Sequence, residues 1–240
     1  MLVKPPYIAR AAITDPAIRY KWHDWDAFRY CEPVDEEFVK RYAKIAPAAV
    51  IALTIAEAEW LMFRFEGLSA DPTLLLYLES AWCANVDREY SWPIELPKSA
   101  WQGPVRRPML VAIILVNHLL YEAEDFADTL QQPSSMSNLV EHVLPDRAPF
   151  RQWRDRCVER LIQFYTEKPQ DPFVDLFDER PAEPVFVPRE VFDPDFEFRP
   201  EMARPLVDRF LRNVDWPANP FLSSPEEMDR AGFKGTPYAA

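Results

Sequence analysis

The sequence predicts an all-α protein: an irregular bundle of five to seven helices with a proline-rich, mostly non-helical C-terminal extension. Three observations carry this expectation. Only 4 of the 240 residues are glycine, whereas β-folds and dinucleotide-binding α/β folds spend glycine on tight turns and on close backbone approach. Apolar residues recur at helical spacing through long stretches. Helix start and stop signals bracket several of those stretches.

Taken in order, residues 1–34 read as irregular, punctuated by Pro5, Pro6, Pro16 and Pro33, with a short helix over 16–30. Val34-Asp35-Glu36-Glu37 is a helix start, with Asp35 as N-cap and acids in the first turn. The periodic pattern then runs to Glu66, and Gly67 closes it. Pro47 lies inside, so two helices or a sharp kink are expected there. The piece after Pro47 is apolar on nearly all sides and predicts a central, buried helix. Ser69-Ala70-Asp71-Pro72 starts the next helix with Pro72 at its first position. Its stripe is Leu74, Leu75, Leu78, Trp82 and Val86. Residues 91–108 form a loop rich in proline. A third long helix is expected over 107–130, a short one over 135–143, and a last clear one over 149–167. The core face of the last is Phe150, Trp153, Cys157, Leu161 and Phe164.

Composition changes near Lys168, which divides a helical domain (1–168) from an acidic extension (169–240) expected to wrap it. Beyond Pro169 the extension holds 11 of the 25 prolines. Val185-Phe186-Val187 and Phe196-Glu197-Phe198 are candidate extended pieces or an edge hairpin, because Pro188 and Pro194 bar a central strand. A helix fits 201–213. Trp216–Phe221 reads as an extended arm with aromatic anchors, and a partner-binding use of that arm is one alternative.

Charge narrows the function. The 39 Asp and Glu exceed the 27 Lys and Arg, for a formal net charge of −12. A duplex binder needs clustered cations to displace phosphate counterions, and anionic membranes make the same demand. Both partners are therefore disfavoured, and a basic protein is the natural electrostatic match. Cys31, Cys83 and Cys157 are odd in number and widely spaced, against a disulfide framework and against a zinc ribbon. No secretory leader is visible after Met1, and the apolar runs at 46–56 and 109–116 are too short to span a bilayer. A cytoplasmic protein with reduced thiols is the expectation.

One candidate for chemistry lies on the third long helix. Val111, Leu115, His118, Glu122 and Asp125 share a face that turns from apolar to polar half-way. Glu57 sits within the apolar stripe of the buried helix, where a carboxylate is expensive unless paired. Convergence of Glu57, His118, Glu122 and Asp125 would make a metal-dependent or acid–base site. The Glu-x-x-His spacing of di-iron bundles is absent, however, and no metal or cofactor is assigned. A satisfied buried pair is the simpler reading of Glu57. His23, between Trp22 and Trp25, reads as a surface histidine flanked by core tryptophans. His142 reads as a C-terminal histidine favourable to the helix dipole, and Cys157 as a core thiol.

No phosphate-cradling loop, zinc-protease motif or nucleophile elbow is present. Two acidic groups are the candidate partner-binding surface: Glu122, Glu124, Asp125 and Asp128, and Asp171, Asp175, Asp178 and Glu179, with Trp216 as an anchor. The whole resembles, in type rather than by motif, the immunity proteins of bacterial polymorphic toxin systems. That likeness implies a non-enzymatic inhibitor that neutralises a cognate toxin or enzyme by occluding its basic active site. The alternatives are the Glu57/His118/Glu122 enzyme and a chaperone-like adaptor binding through its C-terminal arm.

Overall fold

The computed structural model describes residues 2–123, 129–166 and 185–233. The chain is mostly helical, with α1 Pro6–Arg10, α2 Glu36–Tyr42, α3 Pro47–Arg64, α4 Thr73–Ala84, α5 Gly103–Asn117, α6 Gln132–Val143, α7 Ala148–Phe164, α8 Ala203–Asn213 and α9 Pro225–Arg230. Short 3₁₀ turns fill the links, the longest over Asp24–Cys31. Among the described residues there is no paired strand, only isolated bridges such as Ser91 to Leu222.

Pro47 divides α2 from α3 as the sequence predicts. It takes the first helical position, where its missing N–H is no loss. The preceding Ala46 N–H donates to the Tyr165 carbonyl at 2.8 Å, which ties the break to the end of α7. Asp35 caps α2, its carboxylate accepting the N–H groups of Glu37 and Phe38. Every residue of α3 from Ala49 to Arg64 is buried, and α4, α5, α6 and α7 pack around it. Arg64 ends this helix by donating to the carbonyls of Val143, Asp15 and Ala17. A buried guanidinium is thereby satisfied by backbone alone. Phe65 is the C-cap rather than the expected Gly67, which lies two residues further on in a turn at φ +81°.

Several boundaries differ from expectation; besides the end of α3, α6 begins at Gln132. α4 begins at Thr73, with Pro72 as its N-cap and Asp71 accepting both the N–H and the hydroxyl of Thr73. α5 begins at Gly103 and carries Pro108 inside it. A proline there leaves the carbonyl four residues earlier without its helical donor. That carbonyl belongs to Pro104, and the Tyr20 hydroxyl supplies the missing hydrogen bond. α5 does not continue to Leu130: it loosens into a π-helical turn over His118–Glu122 and leaves the helix at Ala123. In place of a helix over 16–30 stands the 3₁₀ segment Asp24–Cys31, broken by the non-helical Asp26, while α1 lies earlier in the chain.

The C-terminal residues 185–233 pack on the helical body. Val185–Val187 and Phe196–Phe198 do not pair, and the turn Arg189–Phe192 stands between them. Trp153 donates its indole N–H to the Phe192 carbonyl at 2.8 Å. Arg160 donates to the carbonyls of Asp193 and Phe196. Asn219 donates to Leu76 O at 2.9 Å, and Ser223 Oγ to Glu89 O at 2.7 Å. Val207, Leu211, Val214, Leu222 and Met228 join Cys83 and Tyr90 in a second, smaller apolar cluster. The expected anchor Trp216 is turned inward: its N–H donates to Leu211 O at 3.0 Å and its ring lies 5.5 Å from that of Tyr90. Among the described residues no helix is long and apolar enough to cross a membrane.

Candidate functional site

Glu57 and Glu59 lie on the same buried helix but two residues apart, about 200° around its axis. They therefore face different neighbours. Glu57, fully buried, points at α6, where Ser137 Oγ donates to its Oε1 at 2.6 Å. Its Oε2 has no partner among the described residues. Burial pushes the Glu57 carboxyl up to about 8, against the pull of Ser137 and the charge of Arg154, with Glu141 adding to the rise. The Tyr42 hydroxyl beside it is also raised, by burial and by Glu57. Glu57 is thus held as a neutral acid at pH 7 inside a small polar cluster.

Glu59 faces the other way and is paired. Arg189 grips it with two N–H groups, and Trp82 Nε1 donates to the same carboxylate at 2.7 Å. Glu59 and its partner Arg189 were not among the sequence candidates. The signal present was a second acid in the same apolar stretch, but no local pattern links Glu59 to an arginine 130 residues away.

The expected convergence of Glu57, His118 and Glu122 does not form. His118 lies on the π-helical turn and faces Glu122, with Nδ1 3.5 Å from Oε2; both side chains reach solvent. Glu57 is bonded to Ser137 instead and feels the charges of Arg154 and Glu141. Asp125 lies outside the described residues. Among the described residues no three His, Cys, Asp or Glu side chains come together in a metal-holding group. Helical periodicity placed His118 and Glu122 on one face correctly, but it cannot say which face of α5 meets α3.

The remaining reactive groups are packed away. All three thiols are buried and unpaired. Burial raises them, Cys31 to about 12, and Cys83 and Cys157 also well above the ordinary thiol value. Cys157 is a core thiol as expected. His142 lies in the last turn of α6, as expected. It stacks on Tyr30 at 4.1 Å, with Nε2 2.8 Å from the Lys21 carbonyl, and burial lowers its pKa.

One exposed arrangement stands apart. The 3₁₀ segment Asp24–Cys31 is stapled by its inner side: Ala27 and Cys31 are buried. Asp24 accepts the Gly103 N–H at 3.0 Å, and Asn138 donates to Cys31 O at 3.0 Å. Gly103 takes φ +83° at that contact, a conformation that favours glycine. The outer side then carries Trp25, 81% exposed, and Phe28, 45% exposed. This corrects the expectation that both tryptophans around His23 are core residues: Trp22 is half-buried and Trp25 is not buried at all. Residues 24–37 contain six acids against one base, Arg29. Of these acids Glu32, Asp35, Glu36 and Glu37 are exposed, and Asp24 and Asp26 are half-exposed.

The acidic groups expected from sequence are only partly placed. Glu122 is 61% exposed. Glu124, Asp125, Asp128, Asp171, Asp175, Asp178 and Glu179 lie outside the described residues. The strip around Trp25 was missed, although the run Trp22-His23-Asp24-Trp25-Asp26 was its signal. No family model, no curated protein and no solved structure matches this chain.

Proposed function

We propose that this chain is a non-enzymatic protein-binding protein of the immunity type, one that neutralises a cognate bacterial toxin or enzyme by covering its basic active site. The observation that carries the reading is the exposed pair Trp25 and Phe28 on an acidic segment. A tryptophan held 81% in water on a stapled turn is costly to leave uncovered, and interface cores are built on such aromatic anchors. The acids beside it and the net charge of −12 select a basic surface, speed its approach and exclude acidic competitors. The buried acids argue in the same direction: Glu57 and Glu59 are closed to any substrate.

The reading is tested by capture from the producing cell with a tagged chain, at low and then raised salt. The expected result is one stoichiometric basic protein, retained by the native chain and lost by Trp25→Ser/Phe28→Ser. The enzymatic activity of that protein should fall on addition of the native chain. Absence of a partner at every salt, or a partner whose activity is unchanged by saturating chain, overturns the proposal.

A further inference from the structure

A pocket of about 270 Å³ opens where four segments meet: the N-terminal stretch, Glu79 of α4, the turn Arg189–Phe192 with Asp193, and the C-terminal end of α8. Its wall is mostly apolar and includes Val3, Phe210 and Val214. Charge of both signs lies among them. Arg189 is fixed at the base, with Nε and Nη2 each 2.6 Å from a Glu59 oxygen and Nη2 also 2.7 Å from the Val3 carbonyl. Its Nη1 has no hydrogen-bond partner among the described residues. The guanidinium is therefore immobilised with donors to spare, at no further cost in side-chain entropy. At the rim Arg209 donates to Glu190 Oε1 at 2.7 Å. Asp193 also lines the space; it accepts the Asp195 N–H and has Arg10 at 3.8 Å.

We propose that this pocket binds a small zwitterion, an α-amino acid with an apolar side chain. The carboxylate takes the unused edge of Arg189, with Arg209 adding a second cation. The lining holds three carboxylates, Glu79, Glu190 and Asp193, against two arginines, so a simple apolar anion meets acids in excess, and an α-ammonium offsets that excess. A simple apolar cation would face Arg189, whose charge cannot be removed. The apolar side chain packs on Phe210 and Val214, and the volume suits a molecule of the size of leucine or phenylalanine rather than a cofactor. The site is independent of the protein-binding reading, because none of its residues lies in the Trp25 strip.

Titration calorimetry and thermal shift on the full chain test the proposal with four probes: L-leucine, L-phenylalanine, 4-methylpentanoate and 3-methylbutylamine. The expected result is saturable binding of at least one amino acid with Kd of about 1 mM or tighter. The two probes that lack one charge should bind at least about tenfold more weakly. Arg209→Ala, at an exposed rim position, should weaken amino-acid binding by about tenfold. Asn213→Trp, also exposed, should fill the mouth and abolish binding while the helical signal and melting temperature stay unchanged. Absence of saturation by either amino acid up to about 10 mM overturns the proposal. So does equal binding of the carboxylate-only or amine-only probe, or binding that survives Asn213→Trp.

Discussion

The guanidinium of Arg189 lies fork-to-fork on the carboxylate of Glu59, with Nε 2.6 Å from Oε1 and Nη2 2.6 Å from Oε2. Glu59 is fully buried on the central helix, and Arg189 belongs to the C-terminal part of the chain. The pair therefore joins the C-terminal part to the buried central helix. The same arginine reaches the Val3 carbonyl and holds the N-terminal stretch as well.

Removing one partner of such a pair leaves a buried charge unanswered. Arg189→Ala should cost about 3–5 kcal/mol of stability and lower the melting temperature by about 10 °C or more. Glu59→Met combined with Arg189→Met should be destabilised by less than the sum of the two single changes, because neither charge is then stranded. Chemical denaturation monitored by circular dichroism measures both. A loss below about 1 kcal/mol for Arg189→Ala would contradict the role assigned to the pair.

Glu57 makes stability depend on pH in a definite direction. Its carboxyl is raised from 4.5 to about 8 in the folded chain, so between those values the folded state keeps a proton that the unfolded state has released. Protons then favour folding, and this contribution is full below pH 4.5, declines as pH rises and is gone above about 8. The decline is bounded by about 5 kcal/mol. Glu57→Gln keeps the shape and the Ser137 contact but cannot ionise, so it should be flatter than the native chain over this window and the more stable of the two at pH 9. Parallel urea titrations from pH 5 to 9 decide it; identical slopes would remove Glu57 as the cause.

Trp25 tests the separation of binding from folding. Trp25→Ser should change stability by no more than about 0.5 kcal/mol, because the side chain is 81% exposed. It should weaken binding of a basic partner by at least about tenfold, as expected for an aromatic anchor. Charge reversal of exposed Glu36 or Glu37 should act chiefly on the association rate and its salt dependence. Stopped-flow association at two ionic strengths measures this, and a Trp25→Ser chain that binds like the native one would exclude the strip as the interface.

The thiols should be silent until the fold opens. Cys31, Cys83 and Cys157 are buried and all held above the ordinary thiol value. The thiolate is the reactive form, so a disulfide reagent should label none of the three in the native state and all three in denaturant. Rapid native labelling of Cys157 would show a reactive site that the structure places in the core.

Much of the fold was legible because helices are written locally. Asp35 and Pro47 mark helix starts through the backbone groups they cap or omit, and both hold their expected roles; the expected stop at Gly67 comes earlier, with α3 ending at Arg64 and Phe65 as its C-cap. α3 was readable as central because its apolar residues cover every face. The places where local reading failed are those where a distant group intervenes. α5 was expected to begin after the prolines, yet Tyr20 satisfies the Pro104 carbonyl that Pro108 leaves without a donor. α5 was expected to run on, yet it unwinds at His118.

For the candidate sites the division is the same. Charge, thiol spacing and the absence of loop motifs are properties of the sequence alone, and they bear on the sign of the proposed partner without locating a surface for it. Periodicity puts His118 beside Glu122, since one helix defines both positions. It cannot orient that helix, so the pairing of Glu57 with Ser137, of Glu59 with Arg189, and the exposure of Trp25 were decided only by tertiary packing. The physical reason is that burial and long-range partners depend on how helices are set against one another. Two acids or two tryptophans that look alike in sequence thereby become a neutral core acid and a locked ion pair, or a half-buried ring and an exposed one.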